Sequence, residues 1–318
     1  MLRHMTEPIV FEPIPMERVW GGRRFESVLG KAIPTGTPVG EMWEIVDRED
    51  AQSIVHAGAL RGMSLHELWA DKRAEIFGAD YLAESSPRFP LLVKLLDARE
   101  RLSVQVHPPL FLAESLGGEP KTEVWYFLDA LPGARIYAGL KKGVSRGAFE
   151  SALRTGKVER TLHEIQVTTG ESIFIPSGRL HAIGEGNLIV EVQQNSDTTY
   201  RVFDWNRMGL DGNPRALHIE ESLASIDFAD FEPAVCRTKE KNIADCPFFH
   251  VEKMRLKAPR DVRPPGRFAL LTVTAGQAVC RGKVFERGGF FIVPAGETRL
   301  EVAPASGTAE ILVTTLPV

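Results

Sequence analysis

Two stretches of the chain, GESIFIPSGRLH (170–181) and GGFFIVPAGETR (288–299), share one pattern: glycine, five residues, proline, any residue, glycine. In each, a short run of branched and aromatic residues meets a proline, which cannot donate to a strand ladder, and then a glycine free to turn. The pattern predicts one supersecondary unit, strand then turn then strand, built twice. Its neighbours read the same way. PLLVKLLD (90–97), RLSVQVHP (101–108), VWYFLDA (124–130), NLIVEVQQ (187–194) and FALLTVTAG (268–276) are apolar or alternating runs with the length of strands, about 5–8 residues. Helical signals are fewer. Ser64 with Glu67 three residues on makes a capping box before Leu65, Leu68, Trp69 and Ile76, and Gly78 offers a stop. Shorter helices are expected over 145–154 and 218–226.

The repeated unit resembles the second motif of the cupin family, a double-sheet jelly roll. In the first copy His181 occupies the family's metal-binding position; in the second, Arg299 stands there. The expected fold is therefore mainly β: two cupin-like jelly-roll units with a few inserted helices, the first metal-bearing and the second not. FEPAV and the polar RTKEKN break the strand pattern near 230–245. This places a catalytic domain with helical insertions at 1–235 and a degenerate, metal-free β domain at 236–318.

Composition narrows the function classes. Of 318 residues, 43% are apolar and 25% charged, with a formal net charge of −4 and no long run of one sign. Such a surface gives no basis for binding nucleic acid or an anionic membrane. No stretch approaches the roughly 20 apolar residues that span a bilayer. The N-terminal sequence lacks the apolar core of a secretory signal. Three cysteines (Cys236, Cys246, Cys280) form neither a disulfide framework nor a CxxC pair, so a reduced cytoplasmic location is expected. The expected partner is a small molecule, and the expected assembly a monomer or small homo-oligomer.

RLSVQVHP carries the chemistry. Alternation puts Leu102, Val104 and Val106 on one face of the strand and Ser103, Gln105 and His107 on the other. Three polar side chains on one face need partners, and Gln105 and His107 are placed to share one ligand. His181 follows the P-x-G turn, and Glu123 opens another strand with a negative charge. A Gln, His, Glu, His set offers N and O donors without thiolate. Zinc suits it, with a position left for water or substrate, while iron, manganese and cobalt remain open on ligand type. His4, His56, His66, His163, His218 and His250 have no such company and are read as structural.

Together these residues make the chain resemble type I phosphomannose isomerases, particularly the short bacterial form. The resemblance covers most of 10–210 and rests on WGG (20–22), GEMWEI (40–45), FPLLVKLLDA (89–98), LSVQVHPP (102–109), GEPKTEVWYF (118–127), IPSGRLHAIG (175–184) and VEVQQNSDTTYRVFDW (190–205). It implies one zinc ion held by Gln105, His107, Glu123 and His181, with Arg201 as the catalytic arginine. Lys94, Ser103, Lys121 and Glu191 would line the sugar-phosphate pocket, Ser103 at its phosphate end. The implied reaction interconverts mannose 6-phosphate and fructose 6-phosphate through a cis-enediolate. Residue patterns add some support. Lys94 interrupts an apolar run, where a lysine needs either a carboxylate or a pocket, and Glu191 faces away from Leu188, Val190 and Val192. Two departures from a generic cupin fit the isomerases: Asn187 falls late after His181, and PLFLAESLGGEPK stretches the first motif. The long helical insertion of the larger type I enzymes is absent from the sequence. The rival readings are another metal-dependent cupin sugar-phosphate isomerase, which would usually show H-x-H where this chain has Gln105-x-His107, and a non-catalytic sugar-binding cupin.

Overall fold

The turns that the repeated pattern demands are present: Gly170, Gly178, Gly288 and Gly296 all take positive φ, between 80° and 130°, backbone that a side chain disfavours. The computed structural model describes residues 7–83, 85–296 and 299–317, and places His4 outside the described residues. The chain is mainly β. It divides into two units, each discontinuous in sequence: a terminal unit of 1–14, 43–94 and 239–318, and a central unit of 15–42 and 95–238. The strands of 236–318 are thus joined in one unit by earlier segments.

Besides a short hairpin of Asp47–Arg48 with Ala51–Gln52, the strands of 14–203 are β1 (Ile14–Gly22), β2 (Val39–Ile45), β3 (Leu91–Ala98), β4 (Val104–Val106), β5 (Glu123–Ala130), β6 (Arg135–Leu140), β7 (Leu162–Gln166), β8 (Ser172–Ile175), β9 (His181–Ile183), β10 (Asn187–Gln194) and β11 (Tyr200–Phe203). They form a six-stranded sheet, order β1-β2-β3-β10-β5-β8, and a five-stranded sheet, order β11-β4-β9-β6-β7. Trp125, Phe127, Ile173 and Ile189 of the first sheet meet Ile136, Ala138 and Ile183 of the second in one apolar cluster, which makes the central unit a sandwich. The other face of the five-stranded sheet offers Val104, Val106, Ala182, Tyr200 and Val202, packed with Phe149, Ile219, Leu223 and Phe228. These come from helices Arg146–Arg154 and Ile219–Ser225 and the turn after them. Alternation along β4, β9 and β11 therefore sends apolar residues to the helices and leaves the opposite face for the sandwich interior.

In the terminal unit the strands are β12 (Asn242–Asp245), β13 (His250–Leu256), β14 (Ala269–Ala275), β15 (Ala278–Cys280), β16 (Lys283–Phe285), β17 (Phe290–Val293), β18 (Val302–Pro304) and β19 (Ala309–Thr315). Their sheets run β12-β13-β19-β14-β17 and β16-β15-β18. Between them lies an all-apolar cluster that includes Leu271, Val273, Phe285, Phe291, Val302 and Ile311. Helix Leu65–Asp71 starts at the Ser64–Glu67 capping box, but it stops earlier than the sequence pattern suggests. Lys72 leaves helical geometry (φ −125°, ψ 21°) and a second turn, Arg73–Ile76, begins there. Breaking the helix lets Trp69 and Phe77 meet edge-on, ring centres 5.0 Å apart, with Phe77 5.1 Å from Phe268. Cys236, Cys246 and Cys280 are free thiols. Among the described residues no helix is long and apolar enough to cross a membrane.

Candidate active site

Strand β4 lies between β11 and β9, and its central residue organises the site. Gln105 pairs with His181 on one side and with Arg201 on the other. Residues directly opposite in antiparallel strands project to one face, so Arg201, Gln105 and His181 form a row across three strands. Ser103 and His107 extend the same face along the chain, and both are buried. The other sheet contributes two pairs. Glu123 on β5 faces Gln193 on β10, and two residues on Trp125 faces Glu191.

These elements converge on three ligand atoms. One atom from each of His107, Glu123 and His181 lies within 4.8 Å of the others, and all three residues are buried. His107 Nε2 is 3.5 Å from one Glu123 carboxylate oxygen and His181 Nε2 is 3.6 Å from the other. The far nitrogens are pinned to backbone: His107 Nδ1 is 2.8 Å from the Thr198 carbonyl and His181 Nδ1 is 2.8 Å from the Arg179 carbonyl. A carbonyl only accepts, so each Nδ1 carries the proton and each Nε2 turns a lone pair inward. His107 Nε2 and both Glu123 oxygens lack hydrogen-bond partners among the described residues. The Gln105 amide reaches the same point, with Nε2 3.3 Å from His181 Nε2.

Charge around the cluster is arranged by Lys121. Its Nζ is 2.8 Å from Glu123 Oε2, an ion pair outside hydrogen-bond alignment, and 3.5 Å from Glu191 Oε1. Burial works against the Lys121 ammonium, but the Glu123 and Glu191 carboxylates outweigh it and raise its pKa. Burial likewise opposes the Glu123 carboxylate, yet Lys121 and the two imidazoles hold its pKa well below the usual carboxylate range. For His107, burial leads and the Lys121 charge adds to it, so its pKa falls to about 4. His181 is also pushed down, chiefly by burial. The site at neutral pH thus presents neutral imidazoles, an ionised carboxylate and a firmly protonated lysine.

Arg201 reaches the cluster through side chains. Its Nε donates to Ser103 Oγ at 3.3 Å, Ser103 Oγ donates to Gln105 Oε1 at 3.2 Å, and Nη1 donates to the Ala216 carbonyl at 2.9 Å. Ser103 therefore sits between Arg201 and Gln105. Trp125 was not apparent in the sequence as a site residue, because it reads there as one more aromatic of VWYF. It donates Nε1 to Glu191 Oε2 at 2.9 Å and sets its ring edge-on to His181, 5.4 Å between centres. Thr198 was equally hidden, since it acts through its carbonyl. Lys94 is buried on β3 and belongs to the terminal unit. Of the described histidines outside the cluster, four make other contacts: His218 Nδ1 accepts the Arg201 backbone N–H, His56 meets Glu12, His66 meets Asp47, and His250 lies between Asp245 and Glu252.

Comparison with known proteins agrees with this geometry. Residues 11–125 match the family model for the phosphomannose isomerase type I catalytic domain. A mannose-6-phosphate isomerase of Streptococcus mutans is 37% identical over 280 residues, 86% of each chain. The crystal structure of the mannose 6-phosphate isomerase of Bacillus subtilis superposes with a TM-score of 0.85 at 30% identity, covering 98% of this chain and 100% of that one. A solved mannose 6-phosphate isomerase bound with zinc and yttrium shares the fold at 16% identity, with a TM-score of 0.74 over 98% and 100% of the two chains. At more than one third identity across most of its length, the chain belongs to the type I phosphomannose isomerase family.

Proposed function

We propose that this chain interconverts mannose 6-phosphate and fructose 6-phosphate through a cis-enediolate, with one zinc ion held by Gln105, His107, Glu123 and His181. The observation that carries the metal is the set of inward lone pairs. Buried polar atoms left without hydrogen bonds are costly, and one divalent cation would satisfy His107 Nε2 and Glu123 Oε1, with Oε2 shared between the cation and Lys121. The ligands also need no proton removed at neutral pH. A half-turn of the Gln105 amide exchanges its N and O and presents a carbonyl oxygen as a fourth donor. An N and O set without sulfur fits zinc.

When bound, zinc supplies Lewis acidity where negative charge develops on the sugar oxygens. Lys121, which keeps its proton, offers a fixed positive charge to an anionic substrate. Of the candidate shuttles, Glu191, Lys121 and a zinc-bound water, we assign Glu191, its carboxylate aimed by Trp125. It takes the proton from C2 and returns it to C1 on the same side of the planar enediolate, while the O2 hydroxyl proton passes to O1. Arg201, a guanidinium that stays charged at neutral pH although burial and the nearby Arg215 lower its pKa, stabilises the enediolate charge. Lys94 and Ser103 complete the substrate-binding set. Within the chain, the metal site and its chemistry lie in 1–235, and the strands of 236–318 carry no metal. The setting that fits these assignments is the cytoplasm, with the enzyme a monomer or small homo-oligomer.

Elemental analysis of the purified protein together with a coupled mannose-6-phosphate assay tests the reading. Stoichiometric zinc with activity lost to a chelator and restored by zinc is expected. Full activity in metal-free protein, or turnover of glucose 6-phosphate in preference to mannose 6-phosphate, would overturn it.

A further inference from the structure

Two polar motifs, GEPKT (118–122) and NSDTTY (195–200), hold each other in the central unit. Lys121 sits in a stretch, 117–122, that belongs to no helix or strand. No ladder fixes its main chain, so other groups must hold the backbone in one conformation. Side chains of the second motif do this. The Glu119 N–H donates to Thr198 Oγ1 at 2.9 Å, and Ser196 Oγ donates to the Glu119 carbonyl at 3.2 Å. Ser196 Oγ also accepts the Thr198 N–H at 3.2 Å, which joins the two hydroxyls in one clamp. Beyond Lys121, the Thr122 N–H donates to Gln194 Oε1 at 2.9 Å, and the Gln194 N–H donates to the Thr122 carbonyl at 3.1 Å. Before the stretch, Tyr200 Oη donates to the Leu116 carbonyl at 2.8 Å.

The contact is close. A Cβ on Gly118 would lie 2.6 Å from Tyr200 Oη and 2.7 Å from Thr198 Cγ2, so glycine is what lets the stretch lie against the loop. Pro120 stands between the clamped Glu119 and Lys121. A proline fixes its own φ and restricts the residue before it. A displacement of Glu119 therefore passes to Lys121 with little slack. Thr198 has a second task, because its carbonyl lies 2.8 Å from His107 Nδ1. One residue thus faces the metal ligand with its main chain and the lysine segment with its side chain.

We propose that Thr198 is a positioning residue for the isomerisation: its hydroxyl, with that of Ser196, fixes Lys121 for the anionic substrate. This rests on the isomerase function proposed above. Lys121 Nζ stands 2.8 Å from Glu123 Oε2 and 3.5 Å from Glu191 Oε1, and misplacement on the order of 1 Å is enough to weaken such an arrangement. Substitution separates the two tasks of Thr198. Valine keeps the carbonyl and the shape but sets a methyl group against the Glu119 N–H, whereas serine keeps the hydroxyl.

Steady-state kinetics with mannose 6-phosphate on the zinc-loaded wild type, Thr198→Val and Thr198→Ser test this. Thr198→Val should hold stoichiometric zinc and raise KM about fivefold or more, with a smaller change in kcat. Thr198→Ser should return KM to the wild-type value. A second measurement involves no substrate: the NMR resonance of the Lys121 ammonium should shift in Thr198→Val and return in Thr198→Ser. Ser196→Ala should move KM and the resonance the same way by less, and it decides should Thr198→Val fail to fold. In an active enzyme, a wild-type KM in Thr198→Val overturns the proposal, even if its melting temperature falls. A rise in KM that Thr198→Ser shares, or one that comes with loss of zinc, overturns it too. An inactive wild type overturns the isomerase function instead, and the Lys121 resonance then decides whether Thr198 positions the lysine.

Discussion

Between its sheets the terminal unit places Leu271, Val273, Phe291 and Ile311, whereas the central unit places Gln105, His107, Glu123, His181 and Glu191 between its own. The repeated strand–turn unit ends differently in each. His181 is 1% exposed and turned into the sandwich, while the Arg299 side chain is 73% exposed and paired with Glu301 at 3.1 Å. An apolar interior is favourable in proportion to the area it removes from water. A charged interior is unfavourable unless each charge is answered. The central unit answers with Lys121, two backbone carbonyls and Trp125, yet it still leaves ligand atoms unmatched. The difference is that the central sandwich carries a charged cluster beside its own apolar core, and the inward-facing ligand atoms left without hydrogen bonds mark where packing has been given up for reactivity.

That division can be broken from either side. The largest effect is expected at the ligands: His107→Ala or His181→Ala should lose both metal and isomerase activity, the latter by about 10³-fold or more. Full activity in a metal-free His181→Ala protein would sink the zinc assignment. Next, Phe291→Ala empties a buried site where Phe291 stacks on Phe285, ring centres 3.8 Å apart. It should cost about 3–5 kcal/mol in denaturant unfolding with kcat unchanged; a matching loss of kcat would show that the two interiors do not act separately. Arg201→Ala should keep its metal by elemental analysis and lose about 10²-fold in kcat. If metal leaves with it, Arg201 is part of the scaffold.

A pH titration of stability sharpens the contrast. His107 has a folded pKa of about 4, below the ordinary value of about 6.5. Above the ordinary value the imidazole is neutral folded or unfolded, and its contribution is complete. As pH falls from there toward 4, the unfolded chain gains a proton that the folded chain refuses, so metal-free protein should lose stability across that window. His107→Gln should flatten the slope. The smallest effect is expected from Trp125→Phe, which keeps the ring and removes one hydrogen bond to Glu191. About 1–2 kcal/mol should appear as reduced kcat with metal content unaltered, and an unchanged kcat would remove Trp125 from the positioning of Glu191.

Much of this was legible in the sequence because it depends on local rules. NLIVEVQQ (187–194) coincides with β10, and the Ser64–Glu67 box starts its helix where expected. The inward face of β4 followed from alternation, and with it Gln105 and His107. What stayed hidden depends on long-range pairing. Arg201 was named by family resemblance alone, since its own surroundings read like those of any arginine after a polar loop; register sets it beside Gln105. Ser103 showed its polarity but not that it links Arg201 to Gln105. No pattern of residues announces that 1–14 and 43–94 join the C-terminal strands in one unit.

Both metal-facing imidazoles are aimed by peptide carbonyls, those of Thr198 and Arg179. A peptide carbonyl is present whatever side chain the codon specifies. Point mutation at either position therefore leaves the orienting acceptor in place so long as the main chain keeps its path. The side chains at these positions act one step back: Arg179 pairs with Asp230 and Thr198 Oγ1 accepts the Glu119 N–H, so residue identity there serves the metal site through the main-chain path it holds.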